Sequence, residues 1–417
     1  MSTKYVIIGN SAAGIGAAEG IRQTDKQGEI TIITSESHHT YSRPLISYLL
    51  LGKTTVEKMK YRPDSFYTGL NIALMAGATV TRIDHAARQV ILEDGRSVPY
   101  DKLLVASGSS AFVPSFNGID SVKGKFTFMS LNDALELEKV LDRNKRVLII
   151  GAGLIGLKCA EGIHERVSHI TVLDLAPGIL SSILDEEGAR IVQNHLESRG
   201  IEFKLSASVK NFEKNSVVLE SGEKMDFDIL VLAVGVRPNT ALLKDIAEIN
   251  RGIVINARSE TTAKNIYAAG DCTQSYDVSS GQSRIMALLP NAYMQGECAG
   301  INMAGGEKTF EKAMPMNAIG FFGLHIITAG NYTGDVYKGQ VAHNGDAAGG
   351  YKRLFYSNNA LNGYIIIGNV EKAGIYTSLI RERTPLDTLD FPLICEKPGL
   401  MAFTKEDRKI KLGGKAT

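Results

Sequence analysis

The strongest constraint on this chain is a pattern that occurs twice: an apolar strand, a glycine turn, a helix, a second strand and an acid. The first copy spans residues 5–36 and the second spans residues 146–174, and their turns read GNSAAG and GAGLIG. A strand–glycine turn–helix–strand unit of this kind is the building block of a doubly wound parallel sheet. The two copies therefore predict an α/β chain with two Rossmann-like dinucleotide-binding domains.

The residue types in each turn match what a dinucleotide requires. The first glycine allows the tight bend, the second lets the backbone approach the pyrophosphate, and the third lets helix and strand pack closely. The helix then faces the pyrophosphate with free N–H groups and its positive end, while the acid accepts hydrogen bonds from a ribose hydroxyl. The first copy departs only in its middle place, which holds serine. The candidate residues are Gly9, Ser11, Ala12, Ala13, Gly14 and Glu36 in the first copy, and Gly151, Gly153, Leu154, Ile155, Gly156 and Asp174 in the second.

The order of further elements predicts how the domains are arranged along the 417 residues, of which 44% are hydrophobic. Each copy continues into an apolar strand ending on glycine, at Gly108 and Gly235, after a turn-rich stretch that predicts a small antiparallel insertion. A later strand ends in Gly270-Asp271, and a helix is expected over 291–304. From Met314 onward, short strands with glycine turns and a helix over 373–381 predict an α+β domain. The predicted segments are 1–112 and 240–313 for the first dinucleotide domain, 113–239 for the second, 314–400 for the α+β domain, and 401–417 for a basic tail that is expected to be mobile from residue 405 onward.

Charge and cysteine content exclude several classes of function. With 46 basic and 45 acidic residues, the chain has no electrostatic basis for binding nucleic acid or a membrane surface. No apolar run is long enough to cross a bilayer and no secretion signal is evident, so we expect a cytoplasmic protein. The cysteines Cys159, Cys272, Cys298 and Cys395 are widely spaced, which argues against a disulfide framework or a zinc site and predicts buried packing roles. We predict no metal.

These motifs resemble a known family, the two-dinucleotide flavoprotein reductases of the pyridine-nucleotide oxidoreductase type, with a glutathione-reductase-like fold. The resemblance covers about the first three quarters of the chain and implies FAD at the first turn and NADH at the second. It implies that Gly270 and Asp271 bind the ribityl chain, that Arg43 and Pro44 lie beside the flavin, and that the helix near Pro290 stabilises reduced flavin with its positive end. The other residues that it assigns are Ala106, Ser107, Gly108, Asn291 and Ala292 for FAD, and Gly235 for NAD.

The last quarter of the chain narrows the expected reaction. Residues 361–368, followed by Ala373 and Gly374, are similar to the C-terminal domain of NADH:rubredoxin reductases and to the flavin module of assimilatory nitrite reductases. This similarity implies hydride transfer from NADH to FAD, and electron delivery to a small iron-containing protein such as rubredoxin. Two alternatives stay open: an NADH-oxidising FAD subunit of a larger metalloenzyme, and an NADH oxidase that reduces O2. The basic tail is either a solvated chain end or a docking arm for an acidic redox partner.

Three positions decide cofactor preference and chemistry. Asp174 is followed by Leu175 rather than by arginine, which favours NADH over NADPH. The disulfide reductases of the family carry a cysteine pair near residues 41–50, and here that stretch has none, so we expect no thiol relay. Many relatives place a lysine beside flavin N5 and pair it with a glutamate, and here these places hold Tyr48 and Lys158. We predict that both are catalytic: Lys158 either supplies a positive charge near N5 or, alternatively, is a solvated helix residue.

Overall fold

The computed structural model describes residues 2–339 and 350–412. The chain divides into two compact units, Met1–Ser275 with Ile285–Phe310, and Tyr276–Arg284 with Glu311–Thr417. Within the described residues the α-helices are α1 (Ala12–Thr24), α2 (Ile46–Leu50), α3 (Phe66–Gly69), α4 (Leu131–Glu138), α5 (Leu154–Ile163), α6 (Glu186–Glu197), α7 (Leu289–Met303), α8 (Ala373–Glu382), α9 (Phe391–Glu396) and α10 (Lys405–Lys411). The strands are β1 (Lys4–Ile8), β2 (Glu29–Thr34), β3 (Ile72–Ala76), β4 (Val80–Asp84), β5 (Gln89–Leu92), β6 (Ser97–Pro99), β7 (Lys102–Val105), β8 (Ser109–Ala111), β9 (Lys125–Phe126), β10 (Arg146–Ile150), β11 (His169–Leu173), β12 (Ile201–Lys204), β13 (Val209–Glu213), β14 (Ser216–Leu219), β15 (Lys224–Asp226), β16 (Ile229–Leu232), β17 (Val236–Pro238), β18 (Ile253–Val254), β19 (Ile266–Ala268), β20 (Thr273–Asp277), β21 (Gln282–Ile285), β22 (Met316–Phe321), β23 (Leu324–Gly330), β24 (Asp335–Gly339), β25 (Tyr351–Ser357) and β26 (Ala360–Ile367).

The first unit contains two parallel five-stranded sheets, one built on each copy of the sequence pattern. Their strand orders are β19-β7-β1-β2-β3 and β12-β11-β10-β16-β9. In both sheets the strand before the glycine turn is central and pairs in parallel on either side. The chain reverses direction of winding beside this strand, which is where ligands bind in open α/β sheets. The predicted pair of Rossmann-like folds is therefore confirmed.

The strands of the first sheet are buried on both faces, which explains their continuous apolar runs. Ile7 belongs to the core beneath the helices, together with Ile32 and Leu104 on the neighbouring strands. Val6 and Ile8 point to the opposite core, where the residues of the antiparallel insertion pack. The alternation of side chains along a strand thus divides one apolar run between two cores.

Helices α1 and α7 pack with their backbones in close contact, and both begin at the same end of the first sheet. A Cβ atom added at Gly296 would lie 2.0 Å from the carbonyl oxygen of Ala13, and one at Gly300 would lie 2.1 Å from that of Ala17. Since the paired positions increase together along both helices, the helices run parallel. Their positive N-terminal ends therefore point to the same side of the sheet.

The remaining sheets follow the predicted plan. The two insertions form the antiparallel sheets β4-β5-β6 and β13-β14-β15, and β8 pairs with β17. The second unit is built on the antiparallel sheet β22-β23-β26-β25-β24, with α8 and α9 contributing to its core. The second unit therefore has the α+β character expected for the C-terminal part of the chain. In the described part of the chain, no helix is both long and apolar enough to span a membrane.

The structure has helix α10 within the tail at 405–417 that we expected to be mobile. Ala402 and Phe403 belong to the core of the second unit, and α10 follows them. Thr404 caps the start of α10, because its hydroxyl accepts from the backbone N–H of Asp407 and donates to the Asp407 carboxylate. Two apolar residues and a cap therefore order a segment whose overall composition is polar. Residues 413–417 lie outside the described residues.

Helix boundaries also differ from the expected ones near the glycine turns. We expected helices over 15–24 and 157–166, whereas α1 begins at Ala12 and α5 at Leu154. The turn residues are themselves helical, because the N–H groups that meet a phosphate are those of the first helical turn. Helix α5 ends at Ile163 and continues as the 3-10 turn His164–Arg166.

Candidate functional site

The first of two pockets lies where β1, β2 and β7 end and the first glycine turn leads into α1. The predicted FAD residues that line it are Gly9, Ser11, Ala12, Ala13, Glu36, Arg43, Ala106, Ser107, Gly108, Gly270, Asp271 and Ala292. The other four, Gly14, Pro44, Pro290 and Asn291, lie in the turns and helices behind this wall. Leu289 and Ala292 of α7 reach the pocket together with Ala12 of α1. Two helix N-termini therefore face one cavity, which favours an anionic ligand.

The two glycine turns have nearly the same geometry. Gly9 and Gly151 have φ angles of 116° and 112°, which side-chain-bearing residues rarely adopt. A Cβ atom at Gly9 would lie 2.1 Å from the oxygen of Ala106, and one at Gly151 would lie 2.3 Å from that of Ala233. These glycines hold each turn against the neighbouring strand.

The middle place of the turn tolerates a side chain. A Cβ atom at Gly153 would meet no atom within 4 Å in the described residues. The serine at this place in the first copy, Ser11, is the N-cap residue of α1. The departure from glycine there is thus compatible with the fold of the turn.

Glu36, the acid of the first copy, contacts neighbouring side chains at the wall of this pocket. The Glu36 carboxylate accepts a hydrogen bond of 2.7 Å from the Tyr41 hydroxyl and forms an ion pair with Arg43. Arg43 also donates to the carbonyl oxygen of Met129 at 3.2 Å. A carboxylate can accept about four hydrogen bonds, so these contacts leave Glu36 able to accept from a ribose.

The second pocket lies at the second glycine turn. Of the seven residues predicted for NAD, it is lined by Gly151, Gly153, Leu154, Ile155, Asp174 and Gly235. Gly156 lies beneath the turn, where a Cβ atom would be 2.0 Å from the oxygen of Gly151. Asp174 accepts from the backbone N–H groups of Ala152 at 2.6 Å and Ala176 at 2.8 Å. The acid therefore fixes the turn as well as facing the pocket.

The two pockets meet. Ser109, Met129 and Asp271 line both of them. Asp271 accepts from the Ser109 hydroxyl at 3.2 Å, and burial raises the pKa of this carboxyl group while the Ser109 hydrogen bond and the positive charge of Arg43 oppose the rise. A ligand in one pocket can thus contact a ligand in the other.

The first pocket also has polar atoms that a nucleotide would satisfy. Nε2 of His39 and Oγ1 of Thr40 are buried and have no hydrogen-bond partner among the described residues, and both residues line the pocket. Buried polar groups in proteins are normally paired. With two helix N-termini and an acid nearby, the cavity fits a dinucleotide with its phosphates and ribose.

The two residues predicted to be catalytic lie side by side. Nζ of Lys158 lies 4.9 Å from the centroid of the Tyr48 ring and forms an ion pair with Glu161. The Lys158 side chain is 18% exposed. Neither residue is among those that line the two described pockets, and their place beside a flavin stays a prediction.

The cysteines are buried packing residues, as expected. All four are free thiols in the interior, and Cys159 and Cys272 are fully buried. In the described residues, no three His, Cys, Asp or Glu side chains form a cluster that could hold a metal ion.

Several residues of the first pocket were not foreseen. Asn10, in the glycine turn, accepts a 3.0 Å hydrogen bond from the Tyr67 hydroxyl, which in turn accepts from the backbone N–H of Thr40 at 3.3 Å. This contact ties the 38–43 loop to the turn. Because Glu36, Tyr41 and Arg43 lie close together along one loop, the sequence could have predicted the contacts of Glu36. The contact of Asn10 has no such signal, because its partner is too distant in the sequence.

Comparison with known proteins agrees with this geometry. The profile of the pyridine nucleotide-disulphide oxidoreductase family matches residues 3–296. The chain belongs to this family. The profile of the rubredoxin NAD+ reductase C-terminal domain matches residues 315–384, which confirms the resemblance found in the last quarter. Proteins of this family use FAD and a pyridine nucleotide, so the protein is an NADH-dependent flavoprotein oxidoreductase.

Individual relatives differ in how much of their length is matched. The chain is 32% identical over 396 residues to the NADH-dependent phenylglyoxylate dehydrogenase subunit epsilon of Aromatoleum evansii, covering 93% of both chains. It is 31% identical over 307 residues to the rubredoxin-NAD(+) reductase of Pseudomonas putida, covering 72% of this chain and 80% of that protein. The nitrite reductase [NAD(P)H] of Bacillus subtilis is 29% identical over 390 residues, and the chain spans 48% of its length.

A solved structure shares the whole fold. The reductase in the covalent putidaredoxin reductase–putidaredoxin complex superposes with a TM-score of 0.86 at 23% identity, covering 100% of this chain and 99% of that one. The similarity extends over both compact units. The expected fold, two Rossmann-like domains followed by a C-terminal domain, is therefore confirmed.

Proposed function

We propose that this protein carries electrons from NADH through FAD to a small iron-containing redox protein such as rubredoxin. The observation that carries the proposal is the convergence of the two pockets on Ser109, Met129 and Asp271, which lets two dinucleotides meet. When bound, FAD supplies the acceptor for the hydride that leaves C4 of NADH, which becomes NAD+, and it can release the two electrons singly. The rubredoxin-NAD(+) reductase relative and the matched C-terminal domain support the acceptor class.

Each residue of the pockets has a proposed part in positioning. The turn at Gly9 and the N-termini of α1 and α7 would hold the FAD pyrophosphate and the flavin ring, and Glu36 would accept from its ribose. The turn at Gly151 and the N-terminus of α5 would hold NADH, with Asp174 on its ribose 2′-hydroxyl. Asp271 would bind the ribityl chain where the pockets meet. These groups would bind the two nucleotides and orient them toward each other.

A second candidate is a subunit of a larger metalloenzyme. The match to the Aromatoleum evansii epsilon subunit covers 93% of both chains, more than the match to the rubredoxin reductase. Under this alternative the same two pockets would pass electrons to a bound partner subunit. We propose the cytoplasm as the compartment in either case, because all four cysteines are free thiols. We also propose that its functional domains are the segments 1–112 with 240–313, 113–239, and 314–400.

Anaerobic reoxidation distinguishes the acceptors. Purified protein is expected to release about one intact FAD per chain on acid denaturation, and to be bleached by NADH. Reoxidation of the bleached protein is then timed with rubredoxin, with a ferredoxin and with O2. Fast reoxidation by rubredoxin alone supports the proposal, whereas fast reoxidation by O2 alone indicates an oxidase. Co-elution of the native protein with an iron–sulfur subunit, and slow reaction with free carriers, would indicate the subunit role.

A further inference from the structure

Two helices connect the pockets to each other. Helix α2 follows directly on the 3-10 turn Arg43–Leu45, whose arginine lines the first pocket. Helix α5 starts directly at the second glycine turn, whose residues line the second pocket. Few residues separate α2 from the wall of the first pocket or α5 from the wall of the second. The packing of α2 against α5 therefore sets how the two walls are placed relative to each other.

One stripe of α5 and its 3-10 extension makes the contact. Lys158, Gly162 and Arg166 are spaced four residues apart, which places them on the same side of a helix. The Lys158 ammonium faces the Tyr48 ring at 4.9 Å. Arg166 donates to the carbonyl oxygen of Leu50 at 3.2 Å. Each of the three thus meets a residue of the five-residue helix α2.

Gly162 is the point of closest approach. A Cβ atom there would lie 3.0 Å from the carbonyl oxygen of Ser47, 3.4 Å from its Cα atom and 3.5 Å from Cβ of Leu50. Ser47 and Leu50 are each 1% exposed, so neither can move aside freely. Any side chain at 162 must displace α5 from α2, since packed interiors have little free volume.

Arg166 fixes the other end of the contact. Besides Leu50, its guanidinium donates to Glu138 at the end of α4 at 2.8 Å. The start of α4 is held from the first pocket, because the Tyr41 hydroxyl accepts from the Leu131 backbone N–H at 2.9 Å. Helix α4 therefore contacts the loop that carries Arg43 at its start and the 3-10 extension of α5 at its end.

We infer that Gly162 and Arg166 are positioning residues that set the distance between the nicotinamide and the flavin. The inference rests on the proposed function, because it requires FAD in the first pocket and NADH in the second. Hydride transfer depends steeply on the separation of donor and acceptor, and a displacement of about 1 Å can cost about a hundredfold in rate. A shift at the α2–α5 contact changes that separation without touching either nucleotide.

The test is a graded series at one position. In anaerobic single-turnover reduction, Gly162→Ala should slow flavin bleaching by about threefold to tenfold and Gly162→Val by more. NADH deuterated at the transferred position should show an undiminished isotope effect, and the Kd of NAD+, measured by flavin fluorescence, should stay within about twofold of wild type. Gly178→Ala is the control, since a Cβ atom there meets only Cβ of Ala189 at an ordinary 3.6 Å.

Arg166→Met keeps the inference testable if the glycine variants fail to fold. It should also slow bleaching at unchanged FAD content and unchanged NAD+ affinity. Bleaching of Gly162→Ala or Arg166→Met at the wild-type rate would overturn the inference, as would a slowdown fully explained by lost FAD or weaker NAD+ binding. A wild-type protein that NADH cannot bleach would instead overturn the proposed function.

Discussion

The ammonium group of Lys158 lies 4.9 Å from the centroid of the Tyr48 ring and forms an ion pair with Glu161, whose side chain is 8% exposed. Helix α5 thus carries both charges of the pair on its own surface. Lys158 thus places a cation on the helix that starts at the second glycine turn, beside the ring of Tyr48 on α2.

The first prediction concerns the close packing of α1 and α7. Gly300→Ala should lower the free energy of unfolding by about 1–3 kcal/mol, because the new Cβ atom meets a backbone carbonyl that cannot rotate away. FAD should also dissociate more readily, since both helices begin at the first pocket. Flavin fluorescence during urea unfolding measures both effects. Gly374→Ala is the control: this helical glycine has no atom within 4 Å of an added Cβ among the described residues, so it should be neutral or stabilising. Equal destabilisation by both variants would contradict the prediction.

The second prediction concerns the choice of nicotinamide nucleotide. The wild type should show a much larger kcat/KM for NADH than for NADPH in dye reduction, because a carboxylate repels a 2′-phosphate. Leu175 is 71% exposed, so Leu175→Arg should improve NADPH use about tenfold without loss of stability. Asp174→Ala should narrow the preference further but also cost about 1–2 kcal/mol of stability, since two backbone N–H groups lose their acceptor. A wild-type preference for NADPH would refute the role of Asp174.

The third prediction is indifference to thiol reagents. Burial raises the pKa of the Cys159 and Cys272 thiols, and only thiolates react fast. Iodoacetamide should therefore leave the dye-reductase activity of the native protein unchanged, while the urea-unfolded chain should take up label at all four cysteines. A long-wavelength thiolate–flavin absorption band in the reduced enzyme would show that a cysteine reaches the flavin after all.

The sequence was sufficient to predict the structural features that follow from a repeated local pattern. It did not predict contacts between residues that are far apart along the chain. Both glycine turns and the acid after each second strand could be predicted, because the spacing of Gly9 and Gly14 reports a local geometry. The contact of Asn10 with Tyr67, 57 residues later, has no local signal. The cap of α10 does have a local signal, since Thr404 and Asp407 stand three residues apart, although the polar and basic composition of the segment predicted a mobile tail.

The last prediction returns to Lys158. A cation near the reacting atoms stabilises the negative charge that builds up as hydride arrives, an effect worth roughly two orders of magnitude in rate. Lys158→Met should therefore slow flavin reduction by NADH and lower the flavin midpoint potential at unchanged FAD content. Glu161→Gln removes the opposing charge and should raise the potential.

Opposite shifts from the two partners would separate an electrostatic role from a packing role, since a packing defect moves both variants in the same direction. Lys139→Met and Glu136→Gln provide the control, because this pair has the same three-residue spacing on a helix-end surface but is 65% and 61% exposed. Exposed ion pairs interact only weakly, so neither control variant should change the flavin midpoint potential. Stopped-flow reduction as fast as wild type in Lys158→Met, at an unaltered potential, would show that Lys158 only packs α5 against α2 through the Tyr48 ring.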